Sequence, residues 1–173
     1  MDAPQNPGGI FQPEPNYSDQ RRDELIKEIE AAPANLRRAV AGLTDSQLDT
    51  RYRNWTIRQI VHHLADSHVN VYIRFKWTLT EENLTIKAYN EGDWVALADS
   101  RLGAVDAPLA LLEGVHLSWV QLLRHMTAEQ FQRTFVHPET GKTVHLADAL
   151  CSYAWHCRHH TGQILWLRQQ HNW

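Results

Sequence analysis

Cysteine is nearly absent: Cys151 and Cys157 are the only two among 173 residues, six apart in a segment of helical periodicity, which excludes a disulfide framework. No apolar run approaches the roughly 18 residues that a membrane-spanning helix needs, and mean hydropathy is -0.49. Charge of one sign is also missing. Seventeen basic and 20 acidic side chains leave a formal charge of -3, so the basic surface expected of a nucleic-acid binder is not there. The opening stretch MDAPQNPGGIFQPEPNYS has neither a basic start nor an apolar core, so no signal peptide is expected and the reading is a cytosolic protein.

What is present is a helical pattern. At this length the chain is expected to be one domain with a real core. Residues 1–17 carry Pro4, Pro7, Pro13 and Pro15 with Gly8-Gly9, which predicts an extended N-terminal arm; residues 18–173 form the domain. Ser18 caps a first helix through Leu25, Ile26 and Ile29, which Pro33 is expected to interrupt before Leu36–Leu43 continues it. Thr44-Asp45-Ser46-Gln47 reads as a capping box for one short turn. Thr56-Ile57-Arg58-Gln59 is another, opening a long helix over about 57–81. Residues 82–105 break the pattern and read as a long, partly ordered connection. Asp106 is placed as the cap of a helix over about 107–126, with Pro108 in its first turn. A third box, Thr127-Ala128-Glu129-Gln130, precedes two short extended pieces around Pro138–Gly141, and a last helix spans about 145–170. Each half thus repeats helix, Thr-x-x-Gln, connection, histidine-bearing helix, and the expected architecture is an all-α four-helix bundle. Most of the seven tryptophans are expected in its core, with some free to line a pocket.

Eleven histidines are unevenly spread. His156 and His160 stand four apart, so a helix presents both from one face, a spacing that grips a transition-metal ion. His62, His63 and His68 form a second patch that can supply a third ligand. At 100° per residue, His63, Ser67, Asn70 and Arg74 share one polar flank, while Ser152, His156, His160 and Gln163 share another. Two such flanks can meet over His63, His156 and His160, although periodicity separates His63 from His62 only weakly. His159 points further out. His116, His125, His137, His145 and His171 show no ligand spacing and read as structural or surface residues.

The run Asn54-Trp55-Thr56-Ile57-Arg58-Gln59-Ile60-Val61-His62-His63-Leu64-Ala65-Asp66-Ser67-His68, with Tyr72-Ile73-Arg74-Phe75-Lys76, closely resembles the YfiT group of the DinB superfamily. The likeness continues through Leu43–Thr50, Tyr89–Ser100, Phe135–Pro138 and Trp155–His160, from about Tyr17 onward. It implies a cytoplasmic homodimer of four-helix bundles, each binding one divalent metal through His63, His156 and His160, with hydrolase activity. The wider superfamily often ends its last motif His-His-Arg-Gly-Gln; Thr161 stands here in place of that arginine.

Three neutral imidazoles leave a divalent ion an open position, the layout of a catalytic zinc site. Hydrolysis by metal-activated water is the first expectation, on a small-molecule substrate. Zinc suits the ligands best, and nickel, iron or cobalt would also bind. Candidate general bases by sequence are Asp66, Glu91 and Asp93, with Asp66 falling on the outward face of its helix. The open position would equally take a thiolate, giving a thiol S-transferase or isomerase with Arg74, Asn70 and Ser67 as anchors for the anionic thiol. A third expectation is a metal-binding bundle without turnover.

Overall fold

A computed structural model describes residues 3–14 and 17–173; Met1, Asp2, Pro15 and Asn16 of the expected arm lie outside the described residues. Four long helices build the bundle: α1 (Asp19–Val40), α3 (Ile57–Thr80), α6 (Asp106–His125) and α8 (Leu146–His171). Between α1 and α3 lie α2 (Asp45–Leu48) and the antiparallel pair β1 (Arg51–Tyr52) and β2 (Trp55–Thr56). Between α3 and α6 lie α4 (Glu91–Trp94) and α5 (Ala98–Leu102), and between α6 and α8 come α7 (Ala128–Phe131) and the hairpin of β3 (Thr134–Val136) and β4 (Thr143–His145). The expected internal echo is therefore a repeat of helix, one-turn helix, two-stranded ribbon, helix.

Packing follows from that repeat. α3 lies against α6 and α8, and α1 lies against α6 and α8, so the helices run round the bundle in the order α1, α6, α3, α8. The two long helices of each half sit across a diagonal, which makes the histidine-bearing helices α3 and α8 neighbours. Each is launched by its ribbon. β2 runs straight into the Thr56 cap of α3, where the Thr56 hydroxyl accepts from the Gln59 amide at 3.2 Å, and β4 runs into α8 at His145. Arg53, at φ 55°, turns β1 into β2.

The core has two parts. Phe75 and Trp119, both fully buried, meet edge to face at 5.2 Å beside Leu25, Ile29, Val71 and Leu150. Leu36, Ile57, Ile60, Leu64, Leu112 and Ile164 fill the other end. Truncating an aromatic as buried as Trp119 to alanine costs about 3–5 kcal/mol. Arg58, also buried, ties the start of α3 to the connections: it donates to Asp49 Oδ1 at 2.9 Å, Asp45 Oδ1 at 3.0 Å and the Gly103 carbonyl at 2.8 Å.

Three sequence expectations need correction. Pro33 does not interrupt α1, which is continuous; Pro33 is buried on its inner face. A proline within a helix leaves the carbonyl four residues earlier without its amide partner. That carbonyl, Ile29, is taken by His116 Nδ1 at 2.6 Å, which offsets the loss. Asp106 is the first residue of α6 and not its cap; Val105 holds that position without a side-chain bond. Asp106 still faces the positive end of the helix dipole. Residues 82–105 are more ordered than expected. Besides α4 and α5, Ile86 donates to the Val136 carbonyl at 3.1 Å, and Gln59 Nε2 holds the Val95 carbonyl at 2.8 Å.

The arm packs on its own chain. Trp155 Nε1 donates to the Gly9 carbonyl at 2.7 Å, Phe11 lies 5.6 Å from the Trp155 ring, and the Tyr52 hydroxyl donates to the Pro4 carbonyl. Gly8 is required where the arm crosses α8, because a Cβ there would come within 2.7 Å of the His159 backbone. Both cysteines are buried free thiols, and among the described residues no helix is long and apolar enough to cross a membrane.

Candidate metal centre

α3 and α8 bring His63, His156 and His160 together. Their ligand atoms lie within 4.8 Å of one another, and His63 Nε2 faces His156 Nε2 at 3.1 Å. The three rings pack edge to face, with centroids 4.5–5.1 Å apart. Burial drives all three toward the neutral form: His63 is held down to about 4, His160 to about 3, and His156 well below its ordinary value, with the neighbouring imidazoles adding to the effect at His156 and His160. Neutral imidazoles with facing ring nitrogens either share a proton or share a cation. The donor set and its geometry fit a divalent transition metal.

Supporting contacts fix the rings. Gln163, one turn beyond His160 on α8, accepts from His160 Nδ1 at 2.8 Å through Oε1, which leaves His160 Nε2 for the centre. Its Nε2 reaches His159 Nε2 at 3.0 Å. Trp55 of β2 lies 4.6 Å from the His63 ring and nearly parallel to His160, 20° between planes at 6.1 Å. A cleft beside them is lined by Gln5, Asn6, Tyr52, Trp55, Trp155 and His160, so the arm borders the entrance.

The other sequence candidates separate cleanly. His62 faces α5, where burial and Arg58 lower its pKa and Asp99 raises it, and its Nε2 has no partner among the described residues. His159 stacks on Trp155 at 4.8 Å, outside the three. His68 is fully buried behind His156, and His116, read from sequence as a bystander, is buried beside His68 at 2.9 Å. Asp66 lies with Asp99, where burial and that second carboxylate raise it to about 6, so it is turned away from the centre. Asp93 is exposed.

The Arg74 end of the flank is a pocket of its own. Arg74 is buried, donates to the Lys87 carbonyl at 3.4 Å, and keeps Nε without a partner among the described residues. The Tyr89 hydroxyl is likewise buried and unpaired there. Ser67, Tyr153 and Glu91 complete the surroundings, and the Tyr153 ring stands 5.6 Å from His156. Arg74, His137 and Lys142 line one cleft with Phe11, Phe135 and Tyr153. Burial raises the Glu91 carboxyl and Arg74 opposes that shift. Asn70 turns back on its own helix, donating to the Asp66 carbonyl at 2.9 Å. Trp55, Gln163 and Tyr89 carried no assigned role at the sequence level; the helical flank did place Gln163 beside His160.

Comparison with known proteins agrees with the fold. Residues 28–164 match the DinB superfamily. YfiT of Bacillus subtilis strain 168 is 46% identical over 169 residues, spanning 96% of this chain and 95% of that protein. A relative in Bacillus cereus strain 03BB102, whose name carries the same provisional activity, metal-dependent hydrolysis, is 49% identical over 169 residues and 96% of each chain. The solved structure of the Bacillus subtilis protein, described as a probable metal-dependent hydrolase with an unusual four-helix bundle topology, superposes with a TM-score of 0.94 over 97% of both chains at 45% identity. A mycothiol-dependent maleylpyruvate isomerase shares the fold alone, with a TM-score of 0.61 at 15% identity over 79% of this chain and 57% of that one. The match over residues 28–164 and the 46% identity to YfiT over nearly the whole chain show that this chain belongs to the DinB superfamily.

Proposed function

We propose that the protein is a cytoplasmic metal-dependent hydrolase of small molecules, with one divalent ion, zinc foremost, held by His63, His156 and His160. The observation that carries this reading is the convergence of three neutral imidazoles from two rigid helices, with His63 Nε2 and His156 Nε2 only 3.1 Å apart. A divalent ion bound this way supplies Lewis acidity, activating water near neutral pH and polarising a scissile bond. His63, His156 and His160 bind through neutral rings. Gln163 holds the His160 proton at Nδ1, and Trp55 shields one side of the centre from bulk water. Of the three candidate bases, Glu91, exposed at the surface, is the one whose charge is felt by Tyr153 and Arg74. Arg74, Lys142 and the Tyr89 hydroxyl select a substrate with an anionic group, and Ser67 lies beside them; Asn70, turned onto its helix, completes the flank. The family resemblance adds a homodimer to this proposal.

A thiol S-transferase is the second reading, favoured by Arg74 Nε, which has no partner among the described residues and suits the carboxylate of a small cellular thiol. Elemental analysis, a panel of esters, amides and phosphoesters, and calorimetric titration of the zinc form with cysteine-containing thiols separate the readings. Turnover that is lost in His156→Ala supports hydrolysis. Thiol binding that is lost in Arg74→Ala with metal retained supports transfer. Metal without either leaves a binding protein. Sedimentation with and without residues 1–16 tests the dimer and the share of the arm in it.

A further inference from the structure

Behind His156 lies a line of imidazoles that the proposed chemistry does not use. His116 Nδ1 meets the Ile29 carbonyl at 2.6 Å, and His116 Nε2 meets His68 Nδ1 at 2.9 Å. His68 Nε2 meets His156 Nδ1 at 3.4 Å, and His156 Nε2 faces His63. The rings of His68 and His116 are 4.8 Å apart, and those of His68 and His156 are 5.6 Å apart and close to parallel. Trp119 stands edge-on to both His68 and His116 at 6.0 Å, and Tyr153 to His68 at 5.1 Å, so the file runs inside an aromatic sheath.

Hydrogen-bond bookkeeping along this file has one solution. A carbonyl oxygen can only accept, so the proton of His116 is on Nδ1. A neutral imidazole has one donor and one acceptor, and burial, which holds His116 down to about 4, keeps it neutral near pH 7. His116 Nε2 therefore accepts, and His68 Nδ1 must carry the proton that it receives. His68 Nε2 is then bare, and faces His156 Nδ1. Were His156 protonated on Nε2 instead, its Nδ1 lone pair would confront that of His68 Nε2 at 3.4 Å. The Cys157 thiol, 3.5 Å from His68 Nε2, is a weaker donor to the same lone pair.

We propose that His68 and His116 are positioning residues for His156, fixing its proton on Nδ1 so that the Nε2 lone pair is presented to the metal centre, with the Ile29 carbonyl freed by Pro33 as the anchor of the file. The proposal rests on His156 being a metal ligand, as in the proposed function. It treats the second group of potential ligand atoms, His68, His116 and Cys157, as a hydrogen-bonded support and not a second metal site. Ligating histidines elsewhere are oriented by a carboxylate or carbonyl on the far nitrogen, and loss of that partner costs about 10–100-fold in metal affinity. Here the carbonyl acts at a distance of two rings.

Long-range proton–nitrogen correlation spectra of the full-length, metal-free protein read the tautomers directly. All of His116, His68 and His156 are expected as Nδ1–H; an Nε2–H tautomer at any of the three overturns the proposal. His116→Leu removes the acceptor for His68 and is expected to lower zinc affinity about 10–100-fold in chelator competition and to shift His156 toward the Nε2–H form. His116→Gln can accept from His68 and donate to Ile29, and is expected to restore most of the affinity. Equal affinity in wild type and His116→Leu, or no rescue by glutamine, overturns the file. So does a second equivalent of zinc that is lost in Cys157→Ala. If wild type takes up no zinc at all, the metal reading falls, and with it the metal-presenting role, while the tautomers still report whether the file exists.

Discussion

Trp55 lies against the His63 ring at 4.6 Å from a strand that ends one residue before α3 begins. An indole in contact with a ligand imidazole senses the charge and d electrons of whatever the imidazole binds. Cobalt or nickel is therefore expected to quench part of the protein's fluorescence, and Trp55→Phe is expected to lose most of that response while binding metal with little change. Quenching that is undiminished in Trp55→Phe would place the ion elsewhere, for instance near Trp155.

The adjacent pair His62 and His63 gives a control that differs by one residue. His63→Ala is expected to abolish stoichiometric metal uptake, whereas His62→Ala, altering the α5 side, is expected to retain it. Elemental analysis of both variants decides, and the reverse pattern would sink the ligand assignment.

Much of this was open to reading from the sequence because cap chemistry is local. Ser18, Thr44, Thr56 and Thr127 each bond an amide within three residues, so the starts of α1, α2, α3 and α7 follow from short stretches of sequence. The i,i+4 pair His156 and His160 needed only a helix. Pro33 was misjudged because it is tolerated only through a contact across two helices: His116, 87 positions beyond Ile29, takes up the Ile29 carbonyl. His62 and His63 lie at similar angles from the core stripe, and what separates them is packing of α5 on one side and α8 on the other. Trp55 enters through a two-residue strand, too short for any alternation to announce.

Buried neutral histidines make the metal-free protein acid-sensitive. His63 and His116 are held down to about 4 and His160 to about 3, against 6.5 when unfolded. The unfolded chain binds protons first, so stability present above pH 6.5 is lost as pH falls toward these values. The loss is on the order of 1–2 kcal/mol per histidine by pH 5. Asp66 runs the other way: raised to about 6, its contribution is present below 3.8 and lost as pH rises through 6. Urea titrations of the metal-free protein at pH 7 and pH 5 are expected to show the histidines prevailing, with a lower midpoint at pH 5. An unchanged or higher midpoint at pH 5 would contradict it.

Arg58 is expected to matter for folding and not for metal. Arg58→Ala leaves the Gly103 carbonyl and two aspartates without their donor, at about 1–3 kcal/mol, less than a fully buried ion pair because Asp45 and Asp49 are exposed. Arg58→Lys recovers only part, since an ammonium cannot span three acceptors as the guanidinium fork does. Thermal melts with metal stoichiometry alongside check both statements.

The crossing of the arm over α8 makes the N-terminus a tether. Gly8 rests on the His159 backbone, Pro7 comes within 3.4 Å of where a Gly162 Cβ would stand, and Gln5 and Asn6 line the cleft that holds His160. Whatever is fused ahead of the arm is delivered to that cleft at an effective concentration of about millimolar. A polyhistidine extension there would act as an intramolecular chelator, drawing the ion away from α3 and α8 or adding a second one, and cutting it off would return the metal content to that of the native chain.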